Sequence, residues 1–304
     1  MNEESEIPEQ SMQGPGKSEA DDKKMEQAYK IANKLLKDRL GKEDKENVRM
    51  LDEMKESDII VVTGTYDHIH LVLKHLGIPF TEISQNQLLE FDLKPEQTVF
   101  VNCASGFPVE GARKLAGFVA NGGQMITTDW ALKFVLEVGF PGLVEYNNRA
   151  TADEVVRIEV LDREDTVLMG FFDEEADPVW WLEGSSYPIK ILDRKKVKVL
   201  VRSKELGEKY GEEPVIIRFE HGKGTVYHMI SHFYLQRTET RDARHTGKAS
   251  EYAGMKGASA ETLAAWQEAE EAMGGIDYGT AQSASTSAEF VSRIILKQKK
   301  KFEK

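Results

Sequence analysis

Short, wholly apolar runs that alternate with helical patterns constrain this 304-residue chain more than any other feature. Residues 58–64 read DIIVVTG, and residues 97–103 read QTVFVNC. Runs of this kind are typical of strands that are buried on both faces, as in a parallel sheet. Helical patterns separate the runs at the spacing of right-handed βαβ units. The sequence therefore predicts an α/β fold with a doubly wound, mostly parallel, flavodoxin-like sheet.

The pattern changes at about Val155, where strand-like stretches follow one another without intervening helices. These stretches read VVRIEVL, IKIL and VKVLVRS, and two further alternating runs flank the turn HGKG. Two such runs around a four-residue loop that contains glycine predict a β-hairpin. The α/β sheet is therefore expected to carry a β-rich extension.

The sequence divides the chain into five segments. Residues 1–22 carry seven acidic side chains and one lysine, which predicts a disordered acidic tail. Residues 23–57 predict an arm of two amphipathic helices, which either pack on the core or dock on a partner. Residues 58–236 are expected to form the α/β domain. Residues 237–279 predict a long loop and a helix, and residues 280–304 predict a last helix that completes the core.

Charge and composition exclude several classes of function. The net charge of −12 repels phosphate backbones, so nucleic-acid binding is not expected. The apolar runs fall short of the roughly 18 residues that a membrane helix needs, and the acidic start does not resemble a secretory signal. The single cysteine, Cys103, excludes an internal disulfide and fits a reducing compartment. We therefore expect a cytoplasmic protein.

Three stretches of the sequence resemble one known family. They read VFVNCASGFP from residue 99, EGARKLAGFVANGGQMITTDWAL from residue 110 and PVIIRFEHGKGTVYHMISH from residue 214. They are similar to the class I glutamine amidotransferase-like superfamily, especially to its non-amidotransferase branch of the trehalose-utilisation type. The resemblance spans about residues 58–236 and the last helix, and it implies an amidotransferase-like version of the flavodoxin-like fold.

The resemblance also implies that the catalytic triad of that family is not retained. In amidotransferases a nucleophilic cysteine lies at the sharp turn after the strand that follows the GG motif. That turn falls here at Thr128–Asp129–Trp130, which holds no cysteine. The histidine of the family matches His232, but its acidic partner matches Tyr234. Glutamine hydrolysis through an acyl-enzyme needs an activated thiolate, so ammonia transfer from glutamine is not expected.

The candidate site residues lie in turns that follow the predicted strands. In doubly wound sheets, ligands bind outside the carboxyl ends of the strands, and four of these turns are expected to meet there. Each polar side chain could instead only cap a helix or satisfy the backbone of a turn. The catalytic candidates are His232, Asp129, Thr128 and Cys103, and the ligand-binding candidates are Asp67, His68, Ser105 and Trp130.

Cys103 and His232 form one alternative chemistry for this site. A free thiol is only slightly ionised at pH 7, so Cys103 would need a nearby positive group to become a nucleophile. His232 or the start of the following helix could supply that group. The competing interpretation is an inert, buried thiol.

A metal site is the second alternative. Two histidine pairs, His68 with His70 and His228 with His232, could join Asp67 or Asp129 in a site with nitrogen and oxygen ligands. The sequence has no HExxH motif and no paired CxxC motif. It therefore predicts no metal and no cofactor.

The missing triad residues favour a non-catalytic function. We expect an amidotransferase-like binding or scaffold module that works with a protein partner or as a homo-oligomer. The charged tail and the predicted polar loop Arg237–Gly257 favour this interpretation, because long loops in compact domains are usually functional or disordered. The alternative is a hydrolase-type enzyme that acts on a small polar metabolite, a sugar or an acyl derivative, with His232 as the general base.

Overall fold

The computed structural model describes residues 19–171, 179–232, 243–272 and 275–303. The helices in these ranges are α1 (Glu19–Glu43), α2 (Lys45–Asp52), α3 (Ile69–His75), α4 (Val109–Ala120), α5 (Glu137–Gly139), α6 (Lys204–Tyr210), α7 (Ala249–Met255), α8 (Ala260–Glu271) and α9 (Tyr278–Phe302). The strands are β1 (Ile59–Val62), β2 (Thr81–Ile83), β3 (Thr98–Val101), β4 (Gln124–Thr128), β5 (Val144–Tyr146), β6 (Glu154–Arg157), β7 (Glu159–Val160), β8 (Val179–Leu182), β9 (Ile189–Ile191), β10 (Val197–Arg202), β11 (Pro214–His221) and β12 (Gly224–Met229).

An eight-stranded sheet in the order β2-β1-β3-β4-β12-β11-β10-β7 forms the centre of the described chain. The ladders from β2 through β1, β3 and β4 to β12 are parallel, and the remaining three are antiparallel. The expected hairpin is present as β11 and β12. The β-rich extension adds two small antiparallel pairs, β5 with β9 and β6 with β8. The prediction of an α/β fold with a mostly parallel central sheet is confirmed.

Helices cover the central sheet on both faces. Ile59 and Val61 of β1 pack in one apolar cluster with α1 and α9, whereas Ile60 and Val62 pack in a second cluster with α4 and the π-helical segment Leu132–Leu136. Successive residues of a strand point to opposite faces, so both faces of β1 need apolar side chains. This is why the strand reads as a continuous apolar run.

The first helix belongs to the core. Tyr29 and Leu36 of α1 are at most 1% exposed, and they pack in the same cluster as α9. Arg293 of α9 donates hydrogen bonds to Glu43 of α1 at 2.7 Å and to Glu289 at 3.1 Å. The apolar face of α1 is therefore occupied within the chain and is not free to dock a partner.

Helix α1 begins earlier than expected. It starts at Glu19, so the last four residues of the predicted disordered tail are helical, and residues 1–18 lie outside the described residues. Met25 and Ala28 anchor the helix to the core. Extending an anchored helix costs little, because each added residue brings one more backbone hydrogen bond.

The prediction of a loop over Arg237–Gly257 is wrong from Ala249 onward, where α7 forms. Ala249, Tyr252 and Ala253 are buried on one face of α7 at helical spacing. Two of these residues are alanines, which carry little hydrophobic signal in the sequence, and this is why the pattern resembled a polar loop. Residues 237–242 lie outside the described residues.

No helix in the described ranges is long and apolar enough to cross a membrane.

Leu36 provides a test of how α1 is held. We expect Leu36→Ala to lower the free energy of unfolding by about 2–5 kcal/mol, because it removes buried methyl groups and leaves a cavity. Leu89→Ala is the matched control, since Leu89 is 43% exposed, and its effect should stay within about 0.5 kcal/mol. Urea denaturation of both variants measures the difference. Equal effects would show that α1 does not pack on the core.

His228 of β12 is fully buried inside the sheet. Its Nδ1 lies 2.8 Å from Oγ1 of Thr127, and burial lowers the pKa of the imidazole to about 3, although the contact with Thr127 opposes that shift. The folded chain therefore keeps His228 neutral, whereas the unfolded chain protonates it near pH 6.5. Between these values the unfolded state binds more protons, so the free energy of unfolding falls as the pH falls.

His228→Gln should weaken this pH dependence. Between pH 7.5 and pH 5 the variant should lose about 2 kcal/mol less free energy of unfolding than the parent, because the titrating imidazole is gone. The control is His221→Gln at the hairpin turn, which leaves the buried imidazole of His228 in place and should therefore retain the acid slope that His228 causes. Urea titrations at several pH values measure both. An unchanged acid slope in His228→Gln would contradict the burial of a neutral His228.

Candidate functional site

Three of the eight candidate side chains meet at the carboxyl ends of neighbouring strands. Cys103 follows β3, Asp129 follows β4 and His232 follows β12, and these strands are adjacent and parallel. A thiol sulphur, a carboxylate oxygen and a ring nitrogen from these residues lie within 4.8 Å of one another. We call this group the strand-end cluster.

Asp129 occupies the sharp turn after β4. Its backbone is in the left-handed region at φ 44°, which is costly for a residue with a side chain, although aspartate tolerates it better than most. The backbone N–H of Tyr187 donates to Oδ1 at 2.8 Å, and the hydroxyl of Ser186 donates to Oδ2 at 2.9 Å. Burial raises the pKa of Asp129 to about 6. The charge of His232 and these two hydrogen bonds lower the pKa, but the effect of burial is larger.

His232 is held between two carboxylates. Its Nδ1 lies 2.7 Å from Oε2 of Glu183, and its Nε2 lies 3.7 Å from Oδ2 of Asp129. Burial lowers the pKa of the imidazole, but the charges of Glu183 and Asp67 and the contact with Cys103 raise it, and the net pKa lies well above the ordinary value. Glu183 follows β8 in the β-rich extension and was not among the predicted site residues.

Cys103 is 1% exposed and is not activated by its surroundings. Burial raises the pKa of the thiol to about 11, and the charge of Asp129 adds to this effect, whereas His232 lowers the pKa. At neutral pH the residue is a thiol. The hypothesis that Cys103 is a thiolate nucleophile is therefore not supported by its surroundings.

Thr128 and Asp67 bind each other beside the cluster. The hydroxyl of Thr128 donates to Oδ2 of Asp67 at 2.5 Å, and the backbone N–H of His68 donates to Oδ1 at 2.7 Å. Asn102 fixes the same loop, because its Nδ2 donates to the carbonyl of Asp67 at 3.1 Å. The hydroxyl of Thr128 is thus bound to the carboxylate of Asp67, and its role as a nucleophile stays a prediction.

Trp130 lies in a row of partly exposed aromatic side chains next to Asp129. Its ring contacts Tyr66 edge-on at 5.1 Å and stacks on Tyr187 at 5.3 Å, and Tyr187 stacks on Tyr146 at 3.8 Å. The indole N–H donates to the carbonyl of Ser185 at 2.7 Å. The row provides an apolar wall beside a charged cluster, as in many small-molecule sites.

The other histidines take different positions. Among the described residues, the group that could hold a metal ion contains Cys103, Asp129 and His232, and it excludes His68 and His70. These two rings contact each other edge-on at 5.7 Å near the start of α3. His228 cannot join His232, because it is buried against Thr127 inside the sheet. The structure thus separates His228 from His232 and leaves His68 and His70 outside the three-residue group.

Ser105 does not join the strand-end cluster. It is exposed in the turn between β3 and α4. Two of the ligand-binding candidates adjoin the cluster. The charge of Asp67 raises the pKa of His232, and Trp130 follows Asp129 in the chain.

No protein-family model matches the chain, and no curated protein matches it either. Among solved structures, it is similar to an exo-β-1,4-mannosidase from an Opitutaceae bacterium, with 12% identity and a TM-score of 0.43 over 81% of this chain. This chain covers 37% of the mannosidase. A β-galactosidase from Bacillus circulans gives 16% identity and a TM-score of 0.39, over 62% of this chain and 31% of the enzyme.

Smaller solved proteins are similar as well. A ThuA-like protein from Bacteroides uniformis gives 12% identity and a TM-score of 0.39, over 56% of this chain and 79% of that protein. The chain thus spans about a third of the length of the two glycosidases and most of the ThuA-like protein. At these identities and TM-scores, no residue and no activity carries over to this chain.

Proposed function

We propose that the chain is a hydrolase-type enzyme that acts on a small polar metabolite at the strand-end cluster. The observation that carries the proposal is the position of His232, whose Nδ1 lies 2.7 Å from a carboxylate oxygen of Glu183 and whose ring lies beside Asp129 and Cys103. A histidine oriented by a carboxylate is the usual arrangement of a proton-transfer group in hydrolytic sites. Buried titratable groups with shifted pKa values also concentrate at functional sites.

The Nε2 atom of His232 can support hydrolysis in two ways. As a general base it would take a proton from a water molecule that attacks the substrate, and because the pKa of His232 is raised, this route needs the neutral imidazole and is favoured as the pH rises. As a ligand it would hold a cation that activates the same water. The aromatic row from Tyr66 to Tyr146 suits the flat face of a sugar or of an acyl group. In both routes hydrolysis depends on His232, and Glu183 positions its imidazole.

His232→Gln tests this proposal. We expect the full-length chain to hydrolyse at least one member of a panel of chromogenic glycosides, esters and amides. The variant should lower kcat/KM by about 10²–10⁴-fold, because the proton-transfer or ligand nitrogen is lost. His75→Gln, on the half-buried end of α3, is the control and should stay within about twofold of the parent. Circular dichroism confirms that both variants fold.

Equal kcat/KM values in His232→Gln and the parent would contradict the proposal, as would a parent that hydrolyses nothing in the panel. The second candidate function, a non-catalytic binding or scaffold module with a protein partner or as a homo-oligomer, would then stand. The burial of the cluster favours that candidate, since Cys103 and Asp129 are 1% and 3% exposed. A scaffold would bind its partner equally well with His232→Gln.

We also infer that the sheet is a doubly wound, flavodoxin-like one and that the chain belongs to the trehalose-utilisation-type branch. The parallel order β2-β1-β3-β4-β12 and the helices on both faces support the first point. The three family-like stretches and the left-handed turn at Asp129 support the second. A cytoplasmic location is supported by the free, buried thiol of Cys103.

A further inference from the structure

We propose that Cys103, Asp129 and His232 are the ligands of a transition-metal ion, with zinc as the favoured ion. The inference concerns the same strand-end cluster as the proposed function. It rests on that function only for what the ion does, and not for its binding.

The distances suit a shared ion better than a hydrogen bond. The Nε2 atom of His232 lies 3.7 Å from Oδ2 of Asp129, which is too long for a hydrogen bond. Two ligands that bind one tetrahedral zinc ion at about 2.0–2.2 Å are roughly 3.4 Å apart. The thiol of Cys103 completes a triangle of donors within 4.8 Å. Small side-chain rotations would therefore bring all three donors onto one ion.

The donor types select the ion. Thiolate sulphur and imidazole nitrogen disfavour calcium and magnesium, which prefer oxygen ligands, and they favour zinc and its neighbours in the transition series. Three protein ligands leave a fourth position for water or substrate, which is the composition of a catalytic zinc site rather than a structural one.

Two of the three proposed ligands already have a further contact. Glu183 lies at Nδ1 of His232, so the imidazole would carry its proton there and present the lone pair of Nε2 to the ion. This carboxylate–histidine–metal arrangement is the usual support of a zinc ligand. Asp129 is fixed by the backbone N–H of Tyr187 and the hydroxyl of Ser186. The cluster is thus preorganised for a ligand set.

The cluster is rich in carboxyl groups. Asp67, Asp129 and Glu183 bring three carboxyl groups to the surroundings of one imidazole. In the described part of the chain, His232 is the one cationic side chain within salt-bridge distance of Asp129 and Glu183. Buried carboxylates need a partner charge. A divalent ion would take the place of the proton on Nε2 of His232 and of the proton on the thiol of Cys103.

Bound zinc would supply Lewis acidity and lower the pKa of a bound water toward neutrality. His232 would then be a ligand, and Glu183 a positioning residue that acts through it.

Metal titration of the purified full-length chain tests the proposal. After chelator treatment and dialysis, Zn²⁺ and Co²⁺ are titrated in a calorimeter into the parent and into the variants Cys103→Ser, Asp129→Asn and His232→Gln. We expect one ion per parent chain and about 100-fold or greater loss of affinity in each variant. Asp92→Asn is the control, because Asp92 is 79% exposed, and it should bind like the parent.

The cobalt spectrum of the parent provides a test that needs no variant. Cys103 is the single cysteine, so a near-ultraviolet thiolate-to-cobalt charge-transfer band can arise only from this residue. Glu183→Gln should keep the band, shift the cobalt absorption and weaken binding about 10- to 100-fold. A purely structural role of Glu183 would leave the cobalt spectrum unchanged.

The proposal is overturned if the parent binds neither ion at micromolar concentration, if the cobalt complex lacks the thiolate band, or if the three ligand variants bind like Asp92→Asn. If no ion binds but His232→Gln still loses hydrolysis, the metal site fails and the hydrolase stands with His232 as the base. If the ion binds but His232→Gln hydrolyses as fast as the parent, the metal site stands and the hydrolase fails.

Discussion

The parallel ladder from β3 through β4 to β12 is the constraint on which the candidate site depends. Val101 pairs with Thr127, so Cys103 and Asp129 each lie two residues beyond the same register pair. Thr127 also pairs with His228, which lies four residues before His232, and the left-handed backbone of Ser231 at φ 67° turns the chain between them. The register of three strands therefore sets which side chains meet. A slip by one residue would turn these side chains to the other face of the sheet.

Close packing at the strand ends keeps this arrangement in place. A Cβ added to Gly64, just after β1, would lie 2.1 Å from the carbonyl oxygen of Cys103. Only glycine lets the two strand ends approach this closely. The backbone N–H of Thr65 then donates to the same carbonyl at 2.8 Å. The turn that carries Asp67 is thus tied to the turn that carries Cys103.

Much of the fold can be predicted from the sequence, because strands and turns are indicated by residues that are close together in the chain. The runs that became β1 and β3 are mostly apolar on both faces, and the hairpin of β11 and β12 has its own turn residues. The same strand patterns predict that Cys103, Asp129 and His232 lie at strand ends. The three residues meet because β3, β4 and β12 are neighbours in the sheet. The sharp turn expected at Thr128–Asp129–Trp130 carries its left-handed residue at Asp129.

The remaining features depend on tertiary contacts that no local pattern encodes. Glu183 follows the apolar strand β8, and only the packing of the extension brings it to His232. The hydrogen bond from the hydroxyl of Thr128 to Asp67 likewise depends on packing and has no local signal in the sequence. The burial of Cys103 likewise decides its ionisation state, and burial depends on every neighbouring element.

The central claim is that three strand ends build one metal-binding site. A crystal structure of the full-length chain grown with zinc, with anomalous diffraction data collected at the zinc absorption edge, tests it most directly. The account predicts an anomalous peak about 2.0–2.3 Å from Sγ of Cys103, a carboxylate oxygen of Asp129 and Nε2 of His232. Well-ordered side chains at these positions without an anomalous peak between them would contradict it.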